Sequence, residues 1–106
     1  IYNIELIMKN ITSSQRSYLK SMAHHLDPVV SIGKNGLISG TIHSISTSLE
    51  ARELIKVKFR DFKDDKKKIS KKISIETKSS IIGIVGHVLI LYRMNPDPEK
   101  QRYKLS

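Results

Sequence analysis

Apolar residues fall in blocks along this chain, and the spacing inside each block separates wound from extended segments. Leu19, Met22, Ala23 and Leu26 recur at helical spacing. They follow Thr12-Ser13-Ser14-Gln15, where a hydroxyl and a Gln three residues later can satisfy the orphan amides of a helix start. Asp27-Pro28 ends the run, because the residue before proline disfavours the helical region, so a first helix is predicted over residues 13–25. Val29-Val30-Ser31-Ile32 is β-branched and bounded by Pro28 and Gly33, which predicts a short buried strand. Beyond Gly33-Lys34-Asn35-Gly36, the residues Ile38, Ile42, Ile45 and Leu49 share one stripe of a second helix whose other face is Ser, Thr and His.

From Ile55 to Phe59 apolar and basic residues alternate, the pattern of a strand with one buried face and one wet, positively charged face. Ile69 and Ile73 lie one turn apart between Asp64 and Thr77, where Asp64 and Asp65 suit the positive end of a third helix. The apolar runs from Ser80 to Gly86 and from Val88 to Arg93 read as two strands tightly joined at Gly86-His87 and placed at the centre of a sheet. Asn95-Pro96-Asp97-Pro98 then closes the body, leaving Glu99 to Ser106 as a charged tail or short edge strand. The order helix, strand, helix, strand, helix, strand, strand predicts a single α/β domain. Its four-stranded mixed sheet is covered by three helices, with parallel neighbours and at least one antiparallel pair at the end. The domain is placed at residues 8–95, with 1–7 as upstream or vector-derived sequence before Met8 and 96–106 as the tail.

Composition narrows the function classes. A chain of 106 residues has room for one hydrophobic core. Nineteen Lys and Arg against ten Asp and Glu give a formal charge of +9, which favours a polyanionic partner, nucleic acid before an acidic membrane surface. The same excess fits a chain rich in Lys and Ile through coding bias, so total charge alone assigns no residue. The absence of cysteine removes disulfides, thiolate metal sites and Cys nucleophiles, and a reducing, cytoplasmic compartment is expected. No apolar stretch approaches the roughly 20 residues that cross a bilayer, so no membrane association is expected.

Gly33-Lys34-Asn35-Gly36 carries the most chemistry. Glycine permits positive φ and close approach of a ligand, and the helix start beyond it presents unpaired amides to an anion. Lys34 adds a charge and Asn35 a donor and acceptor able to reach sugar or base. The segment lacks the Gly-Lys-Ser/Thr ending of a triphosphate loop and the three glycines of a dinucleotide fingerprint. His24, His25, His43 and His87 make no metal spacing; His25 is expected to cap helix-end carbonyls and His87 to hold its turn. No serine sits in a nucleophile elbow and no carboxylates pair as acid and base, so neither catalysis, cofactor nor metal is expected.

With the loop and its flanks in view, the sequence resembles the CRM domain, the chloroplast RNA splicing and ribosome maturation module, especially its stand-alone bacterial YhbY-like form. The resemblance runs from about Thr12 to Arg93. It is carried by Gln15-Arg16-Ser17-Tyr18-Leu19-Lys20, the Pro28 to Gly36 strand and loop, Glu50-Ala51-Arg52-Glu53-Leu54-Ile55-Lys56-Val57-Lys58, and Ile84-Val85-Gly86-His87-Val88-Leu89-Ile90-Leu91-Tyr92-Arg93. It implies a fold similar to the C-terminal domain of the third bacterial translation initiation factor, a Gly-x-x-Gly loop used like that of KH domains, and association with precursor large ribosomal subunits. Gly33, Lys34, Asn35 and Gly36 then become the expected RNA-backbone clamp, with Lys20, Arg16, Arg52 and Lys56 as further phosphate contacts. Two departures stand out. Ile38 replaces the usual capping hydroxyl, which would shift the cap to Ser39, and Lys68, Lys71 and Lys72 stand where relatives tend to be acidic.

The sequence thus predicts a monomeric, non-catalytic protein that binds large-subunit ribosomal RNA in pre-ribosomal particles. The competing expectation is an adaptor that docks on a ribosomal protein or assembly factor without touching RNA.

Overall fold

The computed structural model describes residues 11–105, so the expectation about residues 1–7 lies outside the described residues. The first helix, α1, spans Ser13–Ala23, opened by the capping box: Thr12 Oγ1 accepts from Gln15 N at 3.1 Å and Gln15 Oε1 accepts from Thr12 N at 3.1 Å. Its buried stripe is Gln15, Leu19 and Ala23, while Met22, expected inside, is exposed. Spacing explains this: Gln15, Leu19 and Ala23 recur every four residues, and Met22 stands one residue off that row. The helix stops at Ala23 rather than residue 25. Beyond it the Lys56 ammonium donates to the carbonyls of Leu26 at 2.9 Å and His24 at 3.4 Å, the capping role expected of His25.

Strand β1, Val30–Ile32, leads through the glycine turn to helix α2, Ser39–Arg52. Its core stripe is Ile42, Ile45 and Leu49; Ile38, expected on that stripe, is instead the exposed N-cap residue. Ser39 is the first helical residue, and no side chain caps this end, so the shift of the cap to Ser39 does not occur. Strand β2, Leu54–Phe59, follows at once, and a 3₁₀ turn, Lys63–Asp65, opens helix α3, Lys66–Thr77. Strands β3, Ser80–Val85, and β4, Val88–Tyr92, form a hairpin whose first turn residue, Gly86, has φ +60°.

The sheet order is β1-β2-β4-β3, with β1 parallel to β2 and both other pairs antiparallel. Strand β4, not β3, therefore takes the place beside β2, and β3 is an edge strand. The apolar run of β3 reflects burial from both sides rather than a central position: Ile81 and Ile84 pack towards the α2 side and Ile82 towards the α1 side. A register shift between Ile81 and Gly83 marks a bulge in this strand.

Two cores result. Ile32, Ile55, Val57, Phe59, Leu89 and Leu91 meet Ile45, Leu49 and Ile73 of α2 and α3 on one face, while Leu54, Ile82, Ile90 and Tyr92 meet Leu19 and Ala23 of α1 on the other. Residues 99–105 form no strand and do not hang free. After a 3₁₀ turn, Pro98–Lys100, Tyr103 and Leu105 pack on the α1-side core. The buried Glu53 carboxylate accepts the backbone amides of Asn95 and Arg102, which clips this segment down.

Candidate nucleic-acid interface

The glycine loop is held from both of its flanks. The carbonyl of Ile32, the last residue of β1, accepts the amides of Arg60 at 2.9 Å and Asp61 at 3.1 Å, so the chain leaving β2 is pinned beside the chain leaving β1. Gly36 N donates to Gly33 O at 2.9 Å and closes a four-residue turn. Lys34 and Asn35 stand exposed at its corners without positive φ, and only Gly36 takes the left-handed backbone, at φ +67°. The Phe62 ring lies behind it, 3.4 Å from where a Cβ on Gly36 would stand. A Cβ on Gly33 would meet nothing within 4 Å.

Helix α2 begins three residues after the turn, and its first amides receive no side-chain cap. The positive end of its dipole therefore lies a few residues beyond Lys34 and Asn35 in the chain. A Cβ on Gly40, in the first turn of α2, would also meet nothing within 4 Å. Uncapped N–H groups and an ammonium thus stand within a few residues of each other in the chain, a combination that suits a phosphate oxygen.

Charge around this end of the sheet is mixed. Arg60, Lys63 and Lys66 follow β2, but Asp61, Asp64 and Asp65 are interleaved with them. Lys66 Nζ donates to Gly86 O at 2.5 Å and lies 3.3 Å from His87 Nδ1, which ties α3 to the β3–β4 turn. His87 O accepts from Phe59 N at 2.8 Å. The His87 imidazole is held below its ordinary range by lost hydration against the turn and by neighbouring Lys66 and Lys63. The shift favours the neutral imidazole over the cation.

The residues singled out in the sequence separate into four groups. Gly33, Lys34, Asn35 and Gly36 form the tip. Lys20 and Lys56 line a cleft of about 280 Å³ on the α1 face of the sheet, with His24, Val85, Val88 and Ile90, and Lys56 is partly occupied by the α1 carbonyls. Arg16 Nη1 donates to the carbonyls of Ile81 and Ile82, at 2.9 Å for Ile82, and ties α1 to the β3 bulge. Arg52 stands at the far end of the 14-residue α2, roughly 20 Å from the loop at 1.5 Å per residue.

Lys58 and Arg60 belong to the basic run that the sequence shows, and the structure brings them towards the turn. Ser31 pairs with Lys58 and Lys58 with Val88, and Arg60 Nε donates to Ser31 Oγ at 3.3 Å, so both reach the open half of the α1 face just below the loop. The signal was present in the alternation Lys56, Lys58, Arg60, which puts all three on one side of an extended chain.

The CRS1/YhbY (CRM) domain model matches residues 11–93. The chain belongs to this family. An RNA-binding protein of Haemophilus influenzae is 39% identical over 95 residues, covering 89% of this chain and 96% of that one. The "Probable RNA-binding protein YqeI" of Bacillus subtilis is 34% identical over 84 residues, covering 78% and 88%. A Staphylococcus aureus protein solved in solution, described as a candidate RNA-binding protein, superposes with a TM-score of 0.75 at 34% identity, covering 90% of this chain and all of that one. In this CRM domain the glycine turn between β1 and α2 and the β3–β4 hairpin turn lie at the same end of the sheet. Among the described residues no group of three His, Asp or Glu side chains is placed to hold a metal ion, and no helix is long and apolar enough to cross a membrane.

Proposed function

We propose that this CRM domain binds structured RNA without catalysing a reaction, gripping a phosphate of the RNA backbone on the Gly33–Gly36 turn. The observation that carries this is the turn itself: exposed Lys34 and Asn35 a few residues before the uncapped amides of α2, in a chain whose relatives are named RNA-binding proteins. Lys58 and Arg60 extend the positive surface from the turn on to the α1 face, and Lys20 and Lys56 continue it. Arg16 serves mainly to join α1 to β3, and Arg52 lies too far away to share a phosphate with the turn. The resemblance to stand-alone bacterial CRM proteins supports precursor large ribosomal subunits as the RNA, and assistance to their assembly as the role.

The test is a titration of RNA with Lys34→Ala combined with Asn35→Ala. Losing charge-assisted contacts at the turn is expected to weaken binding by about tenfold or more while the unfolding temperature stays unchanged. Unaltered affinity would remove the turn from the site. Cosedimentation with precursor large subunits that is abolished by nuclease supports the ribosomal role. Cosedimentation that survives nuclease supports a protein partner instead.

A further inference from the structure

Phe62 is an aromatic ring that the fold leaves in the open. It is 43% exposed and sits at φ +57°, a backbone region that costs a bulky residue free energy and that glycine or asparagine would occupy more readily. Its position is not loose. The amides of Arg60 and Asp61 are fixed to Ile32 O just before it, and its own carbonyl accepts Asp65 N at 3.0 Å just after it. Ring atoms Cε2, Cζ and Cδ2 lie 3.4 to 3.9 Å from the Cβ site of Gly36. One part of the ring therefore backs the glycine turn, and the rest faces solvent.

The other described aromatics do not reach this place. Phe59 and Tyr92 are buried, Tyr103 packs on the α1-side core, and Tyr18 lies on α1. Among the described Phe and Tyr residues Phe62 alone sets an exposed ring beside the turn, with Lys34, Arg60 and Lys63 near it in the chain or across the loop. The exposed His87 imidazole belongs to the hairpin turn and lies against Lys66. A cationic backbone grip joined to an aromatic face is the combination that holds unpaired nucleotides, because every base offers a π-face and a base inside a continuous duplex offers none.

We propose that Phe62 stacks an unpaired base next to the phosphate held on Gly33–Gly36. The site then takes single-stranded, looped or bulged RNA in preference to continuous duplex. This rests on the proposed RNA-binding role of the turn and narrows its substrate class.

The experiment compares wild type, Phe62→Leu and Phe62→Trp in anisotropy titrations with a short single-stranded oligoribonucleotide, the same strand made abasic, and a blunt duplex of equal length. Phe62→Leu keeps an apolar group against Gly36 but has no ring face. It is expected to lose about tenfold in affinity for the base-containing strand and none for the abasic strand or the duplex. Phe62→Trp is expected to keep the affinity, with its emission quenched by the base-containing strand and not by the abasic one. Should Phe62→Leu fold poorly, this quenching decides. If wild type binds RNA and Phe62→Leu binds equally, or weakens equally on all three RNAs, or the indole emission of the Phe62→Trp variant is unchanged at saturation, stacking is overturned while the grip on the turn stands. If wild type binds none of the RNAs, the grip falls and stacking falls with it.

Discussion

Gly33 and Gly36 are interchangeable as letters and different as positions. Gly36 is favoured by the fold through its φ of +67°, which an L side chain rarely adopts, while the Phe62 ring 3.4 Å from its Cβ site is at ordinary contact distance. Gly33 has neither constraint, so the fold itself does not require a glycine there. Gly36→Ala is expected to destabilise the protein by about 1–2 kcal/mol, the ordinary cost of a left-handed backbone for an L-residue. Gly33→Ala should leave the denaturant midpoint unchanged or slightly raised, because it restricts only the unfolded chain, yet it should weaken RNA binding. Urea unfolding and RNA titration of both variants separate the two roles, and a Gly33→Ala protein that binds like wild type would mean that no ligand comes close there.

At the scale of elements, α1 owes its start to its own sequence and its place to a distant strand. Thr12 and Gln15 close the capping box between neighbours, so the spacing of three residues was enough to locate the helix start. The contact of Arg16 with the carbonyls of Ile81 and Ile82 spans most of the chain, and no local pattern announces it. Nor does any pattern announce that Lys56, which alternates on to a wet face in the sequence, would cap α1 from β2. Arg16→Met, which retains the stem and removes the donors, is expected to lower stability by about 2 kcal/mol in urea unfolding. Lys20→Ala, whose side chain lies exposed, should not. Equal stability of both variants with wild type would return Arg16 to the free basic contacts.

Across the whole molecule, the formal charge of +9 is unevenly useful. Asp61, Asp64 and Asp65 offset part of the charge beside the turn, and Lys67, Lys68, Lys71 and Lys72 are exposed along α3. If roughly four phosphates are engaged, log affinity for single-stranded RNA should fall against log salt with a slope of about −3, at about 0.7 per phosphate. Replacing Lys58 and Arg60 with Gln is expected to reduce that slope by about 1.4, the share of two phosphates. Replacing Lys68, Lys71 and Lys72 with Gln should leave it nearly unchanged. A slope that responds to the α3 lysines and not to Lys58 and Arg60 would move the RNA path to the other face.

What the sequence determined by itself was local. Periodicity placed three helices and four strands, glycine and proline marked their joints, and the blocks around the Gly33–Gly36 turn were specific enough to name the family, because each of these signals is written within a few neighbouring residues. Tertiary structure decided what depends on long-range pairing. It put β4 between β2 and β3, folded residues 99–105 on to the α1-side core through Glu53, engaged Arg16 and Lys56 with backbone carbonyls, and carried Arg52 a helix length from the turn. These outcomes follow from hydrogen-bond and packing demands between segments far apart in the chain, which is also how Phe62, three residues after β2, comes to stand behind Gly36.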